Sequence, residues 1–244
     1  MNENRVDLSE MPKVKKTIYS IVIKRLFDIV LSLIALVCLS WLLLIVIILE
    51  LLFHGRPVIY KTKRPGKDGK IFNVYKFRSM TNERDERGLL LPAEKRLTKF
   101  GKFIRKTSID ELPELFNILK GDMSVIGPRP LLVEYLELYS DRHKMRQAVR
   151  PGLACVRIND SKSNSWTWGD QFENDIWYIE NLSFWTDLKM LFAVAKEAIK
   201  GSEDRVNATR IPFDGNNLFD ERKNYELSEN EIIHFASLED GGEK

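Results

Sequence analysis

The run Arg105-Lys106-Thr107-Ser108-Ile109-Asp110-Glu111-Leu112-Pro113 sets two adjacent carboxylates at a helix start. Arg105 lies five residues before Asp110, and Arg129 eighteen after Glu111. Ionised carboxylates beside guanidinium groups that grip phosphate are the parts of a phosphoryl-transfer site. A carboxylate can attack phosphorus to give an aspartyl phosphate, and a neighbouring one can hold Mg²⁺. Asp110 and Glu111 are therefore the candidate catalytic and metal-holding pair. The plain structural alternative is a helix cap. Pro113 has no amide hydrogen and belongs in a first helical turn. With Asp110 as N-cap and Glu111 at the first helical position, both charges oppose the helix dipole favourably. That geometry would also keep the carboxylate ionised at neutral pH.

Other candidates are weaker when taken singly. Arg129 sits in Gly127-Pro128-Arg129-Pro130, a stiffened turn that aims its side chain. Lys76 and Arg78 flank Phe77 at a strand end, where they could bind phosphate or simply line a solvated edge. The three histidines, His54, His143 and His234, are scattered, which argues against a histidine metal cluster or a Ser-His-Asp triad. Cys38 and Cys155 support neither a disulfide framework nor a zinc spacing, and they suit a reducing cytosolic side.

The elements that must carry these residues can be read from pattern. Pro57–Tyr60 and Ile71–Phe77 read as strands of a hairpin, with Arg64–Gly69 as its turn. Residues 81–96 read as loop. Leu97–Arg105 and Glu111–Lys120 read as helices, the second stopped by Gly121. Leu131–Val149 reads as helix up to Pro151-Gly152, followed by helices over Phe172–Glu180 and Leu188–Ile199, with a break at Gly201. A short helix is expected near Glu229–Ser237.

Upstream, Ile29–Leu49 is twenty-one residues without charge, interrupted only by Ser32 and Ser40. As a straight helix it would extend roughly 30 Å, enough to cross a bilayer core. No small-residue cleavage site follows it, so it is not a signal peptide. Basic residues mark the cytoplasmic side, yet they flank both ends: Lys13, Lys15, Lys16, Lys24 and Arg25 before, Arg56, Lys61, Lys63, Arg64, Lys67 and Lys70 after. A re-entrant hairpin satisfies both flanks, and a single span is the alternative. Arg25 and Asp28 could pair with each other or with headgroups at the membrane surface. Ser40 could also just bond to its own helix backbone, the common fate of such a serine.

Charge is asymmetric within a net +3. From His54 to Lys106 there are sixteen Lys/Arg against five Asp/Glu, whereas Ser202–Lys244 holds five against eleven. The basic part suits anionic headgroups and phosphates. Its aromatics are not interleaved as a nucleic-acid stacking platform, so no nucleic-acid partner is expected. The organisation is a polar, basic segment over 1–23, a membrane-inserted helix over 24–53, a catalytic domain over 54–201 and an acidic tail over 202–244. The fold class is α+β, mainly helical, with a membrane-anchored core, a small β-hairpin and interfacial amphipathic helices.

Lys76-Phe77-Arg78-Ser79-Met80, Asp110-Glu111-Leu112-Pro113-Glu114-Leu115-Phe116-Asn117, Lys120-Gly121-Asp122-Met123-Ser124 and Gly127-Pro128-Arg129-Pro130 together resemble the signature of the bacterial sugar transferases. These are monotopic polyprenol-phosphate phosphoglycosyl transferases, and the resemblance runs from about Lys24 to Gly201. It implies a small, catalytic-core member on the cytoplasmic face of the bacterial inner membrane. A phospho-sugar would pass from a UDP-sugar to polyprenol phosphate through an aspartyl intermediate, with Mg²⁺ required and UMP released. Asp110 matches the nucleophile, Glu111 its partner, and Arg105 and Arg129 the phosphate-gripping arginines. The resemblance also implies a membrane helix broken at a Ser-Pro pair, which here reads Ser40-Trp41. Relatives carry a Thr-Gly-Trp-Ala-Gln-like segment where this chain has Leu153-Ala154-Cys155-Val156-Arg157-Ile158-Asn159. Two other readings stand beside this one: a non-catalytic membrane adaptor of glycan assembly, and a membrane-anchored Mg²⁺-dependent UDP-sugar phosphohydrolase. The sugar and the oligomeric state, homo-oligomer included, are left open.

Overall fold

The structure, a computed structural model, describes residues 11–156, 167–200 and 213–218. The apolar run forms two helices rather than one. α1 (Lys24–Cys38) continues a π-helical turn at Tyr19–Ile23, and α2 (Ser40–Phe53) leaves it at a bend of 64°. The break falls at Leu39 (φ −99°, ψ 6°), one residue before the expected pair, so Ser40 opens α2 and Trp41 lies within it. No proline is needed. The Leu39 N–H is shared between the Ala35 and Val37 carbonyls, and Ser40 Oγ donates to Val37 O at 2.9 Å, so the carbonyls at the kink keep partners. Among the described residues no single helix is long and apolar enough to cross a membrane, whereas the bent pair together is.

The polar residues of α1 do not pair with one another, as the sequence had suggested for Arg25 and Asp28. Arg25 donates to Ile118 O (2.6 Å) and Leu119 O (2.8 Å), capping a helix C-terminus where cations are favoured. Asp28 Oδ1 accepts from Ser124 Oγ and Val125 N–H, both at 2.9 Å. Lys24 Nζ meets Asp187 at 2.7 Å. The apolar helix is thereby bolted to the domain that follows.

That domain opens with the expected hairpin, β1 (Ile59–Pro65) antiparallel to β2 (Ile71–Phe77). Its ladder runs further than anticipated, pairing Arg64 with Phe72 and Pro65 with Ile71, so the turn shrinks to Gly66–Lys70. The 81–96 loop ends in a helical turn, α3 (Ala93–Arg96), followed by α4 (Lys99–Lys106), whose N-cap Thr98 accepts from Gly101 N–H at 2.8 Å. α5 (Glu114–Lys120) stops at Gly121, φ 100°, as expected.

The start of α5 differs. Ile109–Glu111 forms a separate 3₁₀ turn entered through Ser108 at φ 56°, and Pro113 immediately precedes α5 with no side-chain cap. Pro113 cannot donate to the Ile109 carbonyl, so the turn and α5 cannot merge. Asp110 is therefore not an N-cap.

A second sheet, not read from the sequence, pairs β3 (Ser124–Ile126) parallel to β4 (Gly152–Ala154). A Cβ on Gly152 would lie 2.1 Å from Gly127 N, so the chains approach as closely as only glycine permits. The expected helix over 131–149 is broken into a 3₁₀ turn (Val133–Leu136), α6 (Asp141–Lys144) and a second 3₁₀ turn (Met145–Ala148). Ser140 restarts the helix, its extended backbone placing Oγ to accept from His143 N–H. α7 (Trp168–Glu180) and α8 (Phe184–Lys200) each begin four residues earlier than expected, α7 behind a Thr167/Asp170 capping box. Ile126, Ile176, Tyr178, Ile179, Leu182 and Met190 form one core; Tyr135, Tyr139, Trp168, Phe172 and Phe213 form an aromatic one. Apart from 213–218, the 202–244 tail with its expected helix lies outside the described residues, as do 1–10 and Arg157–Asn159.

Arg142 and His143 of α6 hold Glu173 of α7, Arg142 at 3.0 and 2.7 Å and His143 Nε2 at 3.2 Å. Burial would raise the Glu173 carboxyl, but these partners outweigh it and hold the group down at about 2. A depressed carboxyl stabilises above its unfolded value of 4.5 and loses that contribution as pH falls through about 2. Glu173→Gln is expected to unfold on the order of 2 kcal/mol more easily at neutral pH. Thermal unfolding of both proteins should show that gap closing as pH falls through this window.

Candidate active site

Asn117 brings the first acidic elements to the first cation. Its Nδ2 donates to Asn73 O at 2.7 Å and its Oδ1 accepts from Tyr75 N–H at 3.0 Å, so α5 lies against β2. Lys76, next on β2, then reaches Glu111 Oε1 at 2.9 Å and Glu114 Oε1 at 3.2 Å. The 3₁₀ turn carrying Asp110 is fixed by Ile109 and Leu112, which pack with Val46, Phe77 and Ile104. The middle of α2 thus packs under the turn that carries Asp110.

Arg105 is placed by a close approach. A Cβ on Gly101 would lie 1.8 Å from Ser79 O, so α4 rests directly on the Ser79 backbone. One turn later Arg105 Nε donates to Ser79 Oγ at 2.7 Å. Arg129 is placed by its turn. Gly127 N–H donates to Ala154 O and Gly152 N–H to Pro128 O, each at 3.0 Å, while buried Arg146 donates to Arg129 O at 2.9 Å. Arg146 is held in turn by Asp175 (2.6 and 3.0 Å) and Tyr139 OH (2.9 Å). The Arg129 guanidinium bonds Glu111 Oε1.

The structure therefore gathers Asp110, Glu111, Lys76, Arg105 and Arg129, and it adds Glu114. Arg78 is engaged elsewhere: it is buried, and its Nη1 donates to His54 O and Pro57 O, both at 3.2 Å. That makes it a clamp where α2 passes into β1, in place of the phosphate contact expected of it. Ser40 and Trp41 belong to the helix break described above.

The two carboxylates of the pair behave oppositely. Burial, then the negative charge of Glu111, pushes Asp110 up to about 6 against the pull of Lys76, Arg105 and Arg129. This reverses the sequence expectation of a carboxylate lowered by helix amides, because Asp110 caps no helix. Burial also works against ionisation of Glu111, but Arg129 and Lys76 overcome it and hold that carboxyl well below its usual range. Burial pushes Glu114 up.

Beside this cluster opens a cleft of about 200 Å³, lined by the charged Arg64, Lys76, Glu114 and Arg129 and by Leu131, Leu132, Tyr135 and Trp168. Among the described residues no three His, Cys, Asp or Glu converge into a metal cage. A Mg²⁺ ion bound through one or two carboxylates and substrate phosphates does not require one.

Sequence reasoning missed Glu114, Ser79 and the Arg146–Asp175 pair. Glu114 and Ser79 stand inside the quoted motifs, which was the signal available for them. Arg146 had none, since it reads as one more basic residue on a helix.

A carboxylate pair ringed by a lysine and two arginines, with a mixed polar and aromatic cleft alongside, has the makings of a phosphate-ester site. Residues 19–201 match the bacterial sugar transferase family, and the chain belongs to it. It is 46% identical to the uncharacterized sugar transferase EpsL of Bacillus subtilis over 80% of this chain and 96% of that one. It is 37% identical to the undecaprenyl-phosphate galactose phosphotransferase of Salmonella typhimurium, over 73% of this chain and 40% of the other. With the UDP-glucose:undecaprenyl-phosphate glucose-1-phosphate transferase of Klebsiella pneumoniae it shares 40% identity, over 71% of this chain and 39% of the other. The match thus spans about two-fifths of the length of these last two relatives.

Proposed function

We propose that the chain transfers a sugar 1-phosphate from a UDP-sugar to undecaprenyl phosphate, releasing UMP, as a first membrane step of glycan assembly. One observation carries the reading: Asp110 lies in the field of Lys76, Arg105 and Arg129, in a family with relatives named for undecaprenyl-phosphate transfer. In the first step an Asp110 oxygen forms a bond to the sugar-bearing phosphorus. The bond from that phosphorus to the bridging oxygen breaks, and its electron pair leaves with UMP. In the second step a phosphate oxygen of the lipid attacks the same phosphorus and Asp110 departs as a carboxylate. A group titrating near 6 is mostly ionised at neutral pH, yet is a better nucleophile than an ordinary aspartate. Lys76, Arg105 and Arg129 orient the phosphates and receive their charge.

Within the cluster Lys76, Arg105 and Arg129 are matched by Asp110, Glu111 and Glu114, and Arg64 lines the adjoining cleft as a further cation for a diphosphate. The carboxylates fit Mg²⁺, which Asp110 and Glu111 would hold and which would offset the remaining diphosphate charge. Incubating the purified protein with Mg²⁺, a panel of UDP-sugars and undecaprenyl phosphate should release UMP over many turnovers only when the lipid is present, with no more than about one equivalent per protein without it. Sustained lipid-independent turnover would make the protein a hydrolase, and no release with any donor would sink the reading. Arg129→Lys should lower kcat/KM about 10- to 100-fold, because lysine cannot reproduce a two-pronged grip. Wild-type initial rates would mean that Arg129 serves only its turn.

The reading places the protein at the inner face of the cytoplasmic membrane, with α1 and α2 entering the bilayer and returning. The 64° bend at Leu39 and the exposed Trp185 and Phe192 on α8 support that placement. Cysteines at positions 16 and 61 should both be shielded from impermeant label outside intact cells. Labelling at 16 alone would show a true span.

A further inference from the structure

Phe213–Leu218 lies beyond residue 201, where the family match ends, yet it is packed into the domain. Phe213 is 4% exposed. Its ring meets Phe172 (5.0 Å) and Tyr135 (5.6 Å) edge-on, with Trp168 at 5.9 Å and Tyr139 at 6.1 Å between centroids. Phe213 N–H donates to Tyr135 OH at 3.1 Å. At the other end Leu218 O accepts from Gly169 N–H at 2.6 Å. Gly169 is the second residue of α7, so this carbonyl takes an amide that a helix start leaves without an internal partner. Asp214 closes the turn between them, Oδ1 accepting from Asn216 and Asn217 N–H at 2.8 and 2.9 Å.

Of the rings that meet Phe213, Tyr135 and Trp168 also line the 200 Å³ cleft, together with Lys76 and Arg129. In a close-packed interior the position of a ring is set by the atoms behind it. Phe213 is behind both. Phosphates would bind the cations of the cleft, which leaves its aromatic residues for a ring-bearing part of the same molecule.

We infer that Phe213–Leu218 is a strap that holds Tyr135 and Trp168 as the wall of the donor cleft, making Phe213 a positioning residue for the ring-bearing end of the sugar nucleotide. The inference rests on the donor reading above. It separates this chain from any relative that ends with α8, since the wall is then supported by residues outside the shared domain.

In the full chain, Phe213→Ala should raise the donor KM about tenfold and leave kcat within about twofold, the mark of lost uniform binding. Phe213→Leu, which keeps most of the apolar volume, should recover most of that loss. A merely structural role would instead reduce the active fraction, lowering kcat at unchanged KM. If Phe213→Ala fails to fold, Tyr135→Phe carries the same KM test, because it removes only the hydroxyl that receives the Phe213 amide. A second readout needs neither turnover nor lipid. Coupling is reciprocal, so UDP or a hexose 1-phosphate should slow amide exchange across 213–218 in the wild type, and protection by either supports the strap. Protection without any UMP release would overturn the transfer reading and leave the strap standing. Normal transfer, with KM unchanged in Phe213→Ala and no protection by either probe, would overturn the strap.

Discussion

Asp110→Asn is expected to cut UMP release at least about a thousandfold while the protein stays folded, because an amide oxygen cannot displace UMP. The variant is nearly isosteric, so the 3₁₀ turn and its anchors Ile109 and Leu112 are untouched. Stability should move the other way from activity. The Asp110 carboxyl is raised from 3.8 to about 6, so its ionised form opposes folding above that pH. Replacing it removes the repulsion with Glu111, and the variant should unfold at the same temperature as wild type or higher near pH 8. Intact-protein mass after mixing with UDP-sugar alone gives the complementary measurement. A phospho-sugar adduct should appear on wild type and be missing from Asp110→Asn. Wild-type turnover in the variant would sink the nucleophile assignment.

Arg146→Met should be the most destructive change outside the carboxylate cluster, costing about 3–5 kcal/mol of stability and most of the activity. It leaves the buried Asp175 without its ion-pair partner, and it takes the donors from Tyr139 OH and from the Arg129 carbonyl. The two losses can be separated. Arg146→Met combined with Asp175→Leu removes the orphaned charge and should regain most of the stability, since a buried ion pair replaced as a whole is often nearly neutral. It cannot restore the bond to the Arg129 backbone, so transfer should remain low although unfolding is near normal. Recovery of both together would mean that Arg146 only neutralises Asp175 and that Arg129 stands on Gly127 and Gly152 alone.

The hairpin, the stop at Gly121, the interrupted apolar run and five of the six residues of the charged cluster were legible in the order of amino acids. These features are local. Alternation, a left-handed glycine, a proline lacking its N–H and motif spacing act within a few residues, and the chain announces them wherever it folds. The choice of Asp110, Glu111, Lys76, Arg105 and Arg129 as candidates belongs to the same class, because it rests on residue types and intervals.

Other features were decided only when distant segments met. Arg25 and Asp28 turned from the expected membrane surface to α5 and β3, since those elements offered bare carbonyls and donors that a buried charge must find. Arg78, expected at phosphate, went to the carbonyls of His54 and Pro57 for the same reason. Asp110 was read as lowered by helix amides, and its carboxyl rises because burial and Glu111 prevail where no helix begins. The parallel β3–β4 pair, the support of Arg129 by Arg146 and the Phe213 strap have no local signal. Each is a contact between residues far apart in sequence, chosen by the requirement that buried polar groups be paired and rings close-packed. Type and spacing determined which charged residues stand as candidates, because they act within a few residues; packing decided which charge faces which.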